Sequence, residues 1–553
     1  MVVTDALADL VRRALADLSA AGLIDAGVSP EPHFERPRKR EHGDWATNVA
    51  LVAGQGRGAP RDIAQAIKER LPDSELVESV DVAGPGFLNF HLSPTWLHDV
   101  VRRAAEPTAR FGMAAAPTGK SINLEYVSSN PTGPISVVSG RHAAVGDAMG
   151  NLLEAVGHTV TREFYVNDAG RQADLFARSL AFHYLQRYGV ESEFPEDGYP
   201  GDYVAATAAD VADEVGDSLV EMPEDERLER LRELGLSRML SQMKASLERF
   251  GTRFDVWFSE RTLHDEKEIE EVVNDLTRKG YAEEREGAVW FLASRLGDDK
   301  DRVMIRSSGA PTYLAADAAY VLDKFHRGFD HLIYLWGADH HGTVVRLKAV
   351  TEALGFDRDA VEIPLVQIVT LSSGGTAVKA SKRAGVIVPL DELVDDVGVD
   401  AARYTFLNRS IDAPLDFDIE LAKREAPENP VYYVQYAHAR ICSIMRKAAA
   451  EGTTPDPSTA DLSVLGHPSE DALMRKLAAY EEVVPEAAQF RSPQRITRYV
   501  EELAADFSAF YRDCRVVSED EGLTAARLSL CLATRGVLAS GLALLGVNAP
   551  ERM

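Results

Sequence analysis

The sequence predicts an α/β protein whose central parallel-sheet domain follows a smaller α/β unit and precedes an all-helical region. Three observations carry this. From about 118 to 388, short apolar runs alternate with helical segments, the pattern of strands joined by crossover helices. After about 424 nearly every segment is helical: 429–450, 471–490, 495–511 and 524–546, broken only by a Thr/Pro/Ser/Asp-rich stretch at 453–468 that reads as a loop. Between 122 and 157, an apolar strand (Ile122-Asn123-Leu124-Glu125-Tyr126-Val127), a Ser/Asn/Pro/Gly turn and a long helix follow one another. A strand, a Gly/Pro loop and a helix N-terminus together form an anion site, because free N–H groups and the helix dipole point at one spot. It is also where an α/β sheet holds a nucleotide.

In chain order, residues 1 to about 110 form the first unit. A helix starts at the N-cap candidate Thr4 and ends at Gly22. Strands follow at 75–82 and 87–92, joined through Gly84-Pro85-Gly86, and a helix begins near Pro94. In the middle domain the helix is expected over 140–156, closed by Gly157, with Ala143, Ala144, Gly146 and Ala148 small enough to pack closely on a sheet. An acidic, largely helical insertion is expected at about 180–290, and 365–371 reads as one buried strand. The division expected is 1–112, 113–388 and 389–553, in keeping with about 150 residues per domain.

Composition narrows the function. No stretch approaches the run of about 18 apolar residues that spans a membrane, and the N-terminus has no signal-peptide layout, so a cytoplasmic protein is expected. Cys442, Cys514 and Cys531 are odd in number and widely spaced, against a disulfide framework or a cysteine zinc site. The formal charge is −27, from 60 Lys plus Arg against 87 Asp plus Glu. Taken alone, that argues against a nucleic-acid partner, although a local patch such as Arg36-Pro37-Arg38-Lys39-Arg40 can work on an acidic protein. A solvated loop is the other reading of that patch.

Several segments then carry a specific likeness. Glu125-Tyr126-Val127-Ser128-Ser129-Asn130-Pro131-Thr132-Gly133-Pro134 resembles the lead-in to the HIGH signature of class I aminoacyl-tRNA synthetases, in the wording of the arginyl family. Arg141 to Asp147, Tyr165 to Gln172, and Asn429-Pro430-Val431-Tyr432-Tyr433-Val434-Gln435-Tyr436-Ala437-His438-Ala439-Arg440 continue it. The likeness spans essentially the whole chain, through the terminal Ala549-Pro550-Glu551-Arg552-Met553, and has an actinobacterial flavour. It implies a class I, Rossmann-type catalytic domain between an N-terminal tRNA-elbow-binding domain and a helical anticodon-binding domain. One departure is plain: the four HIGH positions read Ser136-Val137-Val138-Ser139. A serine is a weaker, uncharged donor than a protonated histidine, and Val138 puts a side chain where a glycine would allow close approach.

The resemblance assigns residues. Ser136 and Ser139 stand in the catalytic signature, and Lys379 and Lys382 in Lys379-Ala380-Ser381-Lys382-Arg383 occupy the KMSK position, where ammonium groups stabilise charge growing on the leaving pyrophosphate. ATP contacts are implied for Pro131, Thr132, Gly133, Pro134, Val138, Asp147, Gln367 and Lys382. Arginine contacts are implied for Glu125 and Asn130 at its ammonium and carboxylate end, and for Tyr313, Asp317 and His340. Tyr313 and Asp317 stand four apart, on one helix face. A guanidinium requires carboxylates that accept paired N–H donors, and Asp317 is the candidate. Asp339 and His340 lie in Tyr334-Leu335-Trp336-Gly337-Ala338-Asp339-His340-His341-Gly342, where side chains of adjacent residues diverge and no metal site is expected. For tRNA the likeness implies Phe87 and Asn89 at the elbow, as an exposed aromatic and an amide for a splayed base, and Tyr433, Tyr436 and Met553 at the anticodon. Core packing is the alternative for each aromatic.

The function implied is activation of L-arginine by ATP with Mg²⁺, then transfer of the arginyl group to the terminal ribose of tRNA(Arg), by a monomer. Family members generally need bound tRNA even for the first step. The altered signature makes the chief alternative a catalytically weakened or inactive paralogue that keeps tRNA and arginine binding for a regulatory, resistance or specialised-metabolism role; transfer of activated arginine to a small molecule is a further one, against which the anticodon-binding helices argue.

Overall fold

The computed structural model describes residues 3–25, 30–54, 59–106, 110–265, 267–377 and 388–553, with Arg40, Asp265 and Ala377 described through the backbone alone. By packing, the chain divides into two compact units. One comprises Met1–Phe111, Ile441–Glu481 and Ala505–Val537; the other comprises Gly112–Arg440, Glu482–Ala504 and Leu538–Met553. The helical region expected as one domain is therefore shared between both.

In the first unit, four antiparallel strands run in the order Phe34–Glu35, Trp45–Thr47, Phe87–Leu92, Val77–Ala83. Val3–Ala20 buries Leu7, Val11, Leu15 and Leu18, a stripe at helical spacing. Gly43 lies at φ 93°, and a Cβ there would come 2.6 Å from the Phe90 carbonyl oxygen, so only glycine fits. Within the same unit Arg103 holds Glu481 through two hydrogen bonds (2.5 and 2.9 Å).

The second unit is built on a five-stranded parallel sheet in the order Val361–Glu362, His331–Tyr334, Ser121–Glu125, Thr159–Val166, Val256–Ser259. The chain starts in the middle, builds outward in one direction and later returns to the other side of the first strand. That reversal lies between Ser121–Glu125 and His331–Tyr334, whose ends Glu125 and Tyr334 are register partners. A doubly wound sheet opens its ligand crevice at such a point.

Two expectations change here. The acidic insertion is not one helical block: helices Arg171–Arg187, Asp202–Val215 and Glu224–Arg249 are followed by Val256–Ser259, an edge strand of the main sheet. A three-stranded antiparallel sheet follows at Ala282–Arg285, Ala288–Phe291 and Arg302–Ile305. Four residues between helices, three of them apolar, give too little pattern to separate a strand from a helix end. The apolar run 365–371 also divides, into Leu365–Val366, paired with Trp336–Gly337, and Val369–Ser373, paired with Leu415–Asp418; between them Ile368 is 59% exposed. Among the described residues, Glu521–Leu544 alone is long and apolar enough to cross a membrane, and 61% of its most apolar window is buried in the protein.

Candidate active site

The crevice begins where Ser121–Glu125 ends. Val127 (φ 67°) and Ser128 (φ 39°) both adopt left-handed backbone, which for a β-branched valine is strained. The kink is held by Ser128: its Oγ donates to Glu125 Oε1 (3.1 Å) and accepts the Tyr165 N–H (3.0 Å). The loop then runs through Asn130, whose amide donates to Gln172 Oε1 (2.5 Å), and through the buried Pro131 and Thr132. Tyr203 donates its hydroxyl to the Thr132 carbonyl (3.0 Å) and packs on Gly133, so a helix of the insertion braces the loop. Pro134 completes the turn, half-buried.

The following helix spans Val137–Ala155, three residues earlier than periodicity suggested, because Ser136 is its N-cap: Ser136 Oγ accepts the Ser139 N–H at 3.1 Å. Ser136 Oγ also lies 3.1 Å from Ser139 Oγ, which lies 3.0 Å from Ser129 Oγ. Three hydroxyls thus form a chain at the helix N-terminus, two of them, Ser136 and Ser139, at the positions of the signature imidazoles. Val137 is buried and its N–H donates to the Val388 carbonyl (3.1 Å), whereas Val138 points outward, 45% exposed. Gly146 lets the helix lie against the Tyr126 ring, which a Cβ would meet at 2.3 Å.

Two buried groups tie this helix to its surroundings. Arg141, fully buried, donates to the carbonyls of Gln367 (2.8 Å), Ser410 (2.9 Å) and Ala413 (3.1 Å); burial brings its pKa down to about 10. It fixes the main chain at Gln367, whose side chain is half-buried. His142 is brought down to about 4 by burial, partly offset by a hydrogen bond with the Leu335 backbone, and is neutral at physiological pH.

Beside the helix stands a group of acids that sequence reading found only in part. Asp317, half-buried on the Tyr313–His326 helix, is pushed up to about 7 by burial and then by the charges of Glu125 and Glu260, with Arg346 pulling the other way. Glu260 is also pushed up to about 7, by burial and by Asp168, against a hydrogen bond from the Tyr165 hydroxyl. Asp168 is itself held by the Ser259 hydroxyl (2.7 Å) and the Arg261 N–H (3.3 Å). A cation among these buried carboxylates would offset both their burial and the like charge beside them. Tyr313 is 70% exposed, and Asp339 and His340 also face solvent; the His340 ring lies 5.8 Å from that of Trp336.

Adjoining the acids is a cavity of ≈ 610 Å³ that shares Glu260 and Tyr313 with them and is otherwise lined by Arg171, Arg232, Arg261, Arg306 and His264, among others. Arg171 pairs with Asp197 (2.7 Å) and Arg232 with Asp174 (3.0 Å). Arg261 and Arg306 make no side-chain ion pair or hydrogen bond among the described residues.

These findings agree with comparisons to known proteins. Family models match residues 5–92 (arginyl tRNA synthetase N terminal domain), 108–413 (tRNA synthetases class I (R), catalytic domain) and 434–553 (DALR anticodon binding domain). The chain is 45% identical over 553 residues to the arginine–tRNA ligase of Carboxydothermus hydrogenoformans, covering 100% of this chain and 99% of that protein. It is 47% identical over 557 residues to that of Frankia alni, with the same coverage. The chain belongs to the arginyl-tRNA synthetases. Among solved structures, Thermus thermophilus arginyl-tRNA synthetase matches with a TM-score of 0.76 at 25% identity, each chain covered in full. Mycobacterium tuberculosis methionyl-tRNA synthetase shares the fold, with a TM-score of 0.55 over 77% of this chain and 91% of that one, at 12% identity.

Of the expected site residues, Glu125 acts on Asp317 through its charge, Tyr313 precedes Asp317 by one turn of the same helix, and Ser136 and Ser139 share the hydroxyl chain at the helix start. Lys379 and Lys382 lie outside the described residues. Asp147 is a correction: it is buried and paired with Arg403 (2.5 Å), which also donates to the carbonyls of Phe250 (3.1 Å) and Leu545 (3.2 Å). Eleven residues beyond Ser136, it stands about 16 Å down the helix axis at ~1.5 Å rise per residue, and its charge is already spent on a structural pair. Asn89 is a second correction: it is only 7% exposed, its backbone paired with Ala46 and Asp81, which leaves its amide little access to a base, and Phe87, expected as an exposed aromatic, is half-buried at the strand start.

At the C-terminal side, Tyr436 is 40% exposed and its ring stacks on Tyr432 (centroids 6.0 Å apart, 11° between planes) with the Arg440 guanidinium 4.6 Å from its centroid. Residues 432, 436 and 440 form a stripe at i, i+4, i+8, legible as such, yet Tyr432 was not singled out. Tyr433 is half-buried. Met553, 54% exposed, lines a cavity of ≈ 540 Å³ with Tyr432, Asn548, Lys423 and Arg424.

Proposed function

We propose that this chain activates L-arginine with ATP and transfers it to tRNA(Arg), and that the observation carrying the reading is the acid cluster at the switch point of the sheet. Asp317 and Glu260, both raised to about 7 by burial and then by neighbouring carboxylates, receive the guanidinium: a cation there offsets both effects and gains charge-assisted hydrogen bonds. Glu125 and Asn130 take the ammonium and carboxylate end. Tyr313 covers the aliphatic stem, and His340 stands at the mouth.

ATP lies along the loop Pro131-Thr132-Gly133-Pro134, with its phosphates at the start of the Val137–Ala155 helix. The Ser136, Ser139 and Ser129 hydroxyls and the helix N–H groups replace the signature imidazoles as donors. We read Ser136-Val137-Val138-Ser139 as a working signature, because the N-terminus is capped, the hydroxyls are linked and Val138 turns away from the helix–sheet contact. The linked hydroxyls and N–H groups suit phosphate oxygens and include no carboxylate, so Mg²⁺ would be held chiefly by the phosphates and water. Lys379 and Lys382 follow the leaving pyrophosphate. Arginine's carboxylate oxygen attacks the α-phosphorus, pyrophosphate leaves with the P–O bond electrons, and the tRNA's terminal hydroxyl then displaces AMP from the arginyl carbonyl.

The cavity lined by Arg261 and Arg306 receives the phosphodiester strand at the tRNA 3′ end, a local cationic site on an acidic protein. Arg261→Ala plus Arg306→Ala should raise the KM for tRNA(Arg) by about 10-fold or more and lower its salt dependence by about two phosphate contacts, leaving the KM for arginine unchanged. The stacked Tyr432 and Tyr436, with Tyr433 and Met553, meet anticodon bases, and Phe87 meets the elbow. The enzyme acts as a cytoplasmic monomer.

The direct test is exchange of labelled pyrophosphate into ATP with tRNA(Arg) present. Arginine should support it and citrulline, its neutral isostere, should not. Exchange driven equally by citrulline, or absent with both, would remove the reading.

A further inference from the structure

The Tyr313–His326 helix carries Tyr313, Asp317, Tyr320 and Lys324 at spacings of four, three and four, so all share one face. The first two belong to the guanidinium end of the pocket. Lys324 has no exposure at all. Its ammonium lies 2.6 Å from Glu125 Oε2 and 3.8 Å from Glu163 Oε1, and sits 4.1 Å and 3.9 Å from the ring centroids of Tyr320 and Tyr334.

Burying an ammonium is unfavourable, and a buried ion pair can often be replaced by apolar residues of similar volume with no loss of stability. Stability alone therefore gives no reason for lysine over methionine here. Glu163 has partners of its own: Arg327 in a two-pronged pair (2.6 and 2.9 Å), the Tyr320 hydroxyl (2.5 Å) and the Asn123 amide (3.1 Å). The shorter contact of Lys324 is with Glu125. The other oxygen of Glu125 is fixed by Ser128, across the strained kink that Tyr165 N–H also holds. Two separate donors thus immobilise this carboxylate, and each oxygen keeps a lone pair for a third.

We propose that Lys324 is a positioning residue: it aims Glu125 at the substrate's α-ammonium, and so fixes the ammonium end of the pocket relative to the helix that bears the guanidinium end. This rests on the arginine-activating reading. The consequence is selective. Loss of Lys324 weakens recognition of the α-amino group and spares the rest of the ligand.

The test uses the full-length protein with tRNA(Arg) and ATP, and 5-guanidinopentanoate, which is arginine without its α-amino group, as a competitive inhibitor. In pyrophosphate exchange, Lys324→Met should raise the KM for arginine by about 10–100-fold, the scale of a truncated buried charge pair. The inhibition constant of 5-guanidinopentanoate and the KM for ATP should move less than about two-fold, because neither ligand probes Glu125. A purely structural role would weaken both amino-acid-site ligands alike, and that result would overturn the proposal. Should Lys324→Met not fold, Ser128→Ala removes the other hold on Glu125 and should show the same selectivity at smaller size; equal weakening of both ligands overturns it again. No exchange with the unaltered protein would instead bring down the underlying reading.

Discussion

Asp317→Asn is expected to raise the KM for arginine by about 10²–10³-fold, the loss of one buried charge partner, and at the same time to stabilise the empty protein. The second effect follows from the raised pKa of about 7. The folded carboxyl holds its proton from about pH 4, where the unfolded group releases it, up to about 7. Over that window the folded state binds more protons, so stability falls as pH rises, and above 7 a constant penalty remains. Asparagine has no such penalty. The variant should therefore melt higher than the unaltered protein at pH 8, by on the order of 1–3 kcal/mol of stability, and match it near pH 4. Added arginine should raise the melting temperature of the unaltered protein only. The same sign sets the pH dependence of binding: a guanidinium demands ionised acids, so the KM for arginine should rise below pH 7 by up to about ten-fold per pH unit for each proton that must leave. A variant that loses arginine but gains no stability would place Asp317 in a structural role.

The second large effect is expected at Ser139. Its hydroxyl is the middle link between Ser129 and Ser136. Three hydroxyls have three protons, and two links consume two of them, which leaves one to donate outward; a phosphate polarises the chain so that the free proton faces it. Ser139→Ala breaks both links and should lower kcat for pyrophosphate exchange by about 10²–10³-fold, the cost of one preorganised donor. The KM for arginine should stay put. Ser136→Ala also removes the helix cap, worth about 1 kcal/mol, and the double variant should lose less than the product of the single losses. Equal rates for Ser139→Ala and the unaltered protein would show that the N–H groups suffice without the hydroxyls.

Much of the order of elements was legible, because the strand near 122 and the long C-terminal helices follow clear patterns and are punctuated by glycine and proline. The signature helix was placed three residues late, since Ser136 counted as a lost imidazole and not as a cap. Glu260 was missed because its partners Asp168 and Asp317 lie 92 and 57 positions away, with no local pattern around any one of them. Lys324 did leave a trace, as a charge on the stripe of Tyr313, Asp317 and Tyr320, although a lysine near a helix end reads as solvated. Asp147 misled for the opposite reason: it sits in a recognisable motif, while the partner that claims its charge, Arg403, is 256 residues away.

The most direct measurement of the whole account is charging of tRNA(Arg) with labelled arginine by the purified protein, with and without ATP. ATP-dependent charging by the unaltered chain is the result expected of a capped, hydroxyl-lined signature that works. Intact tRNA and arginine binding without charging, with activity appearing only on Ser136→His plus Val138→Gly, would contradict it and mark a synthetase fold kept for binding alone.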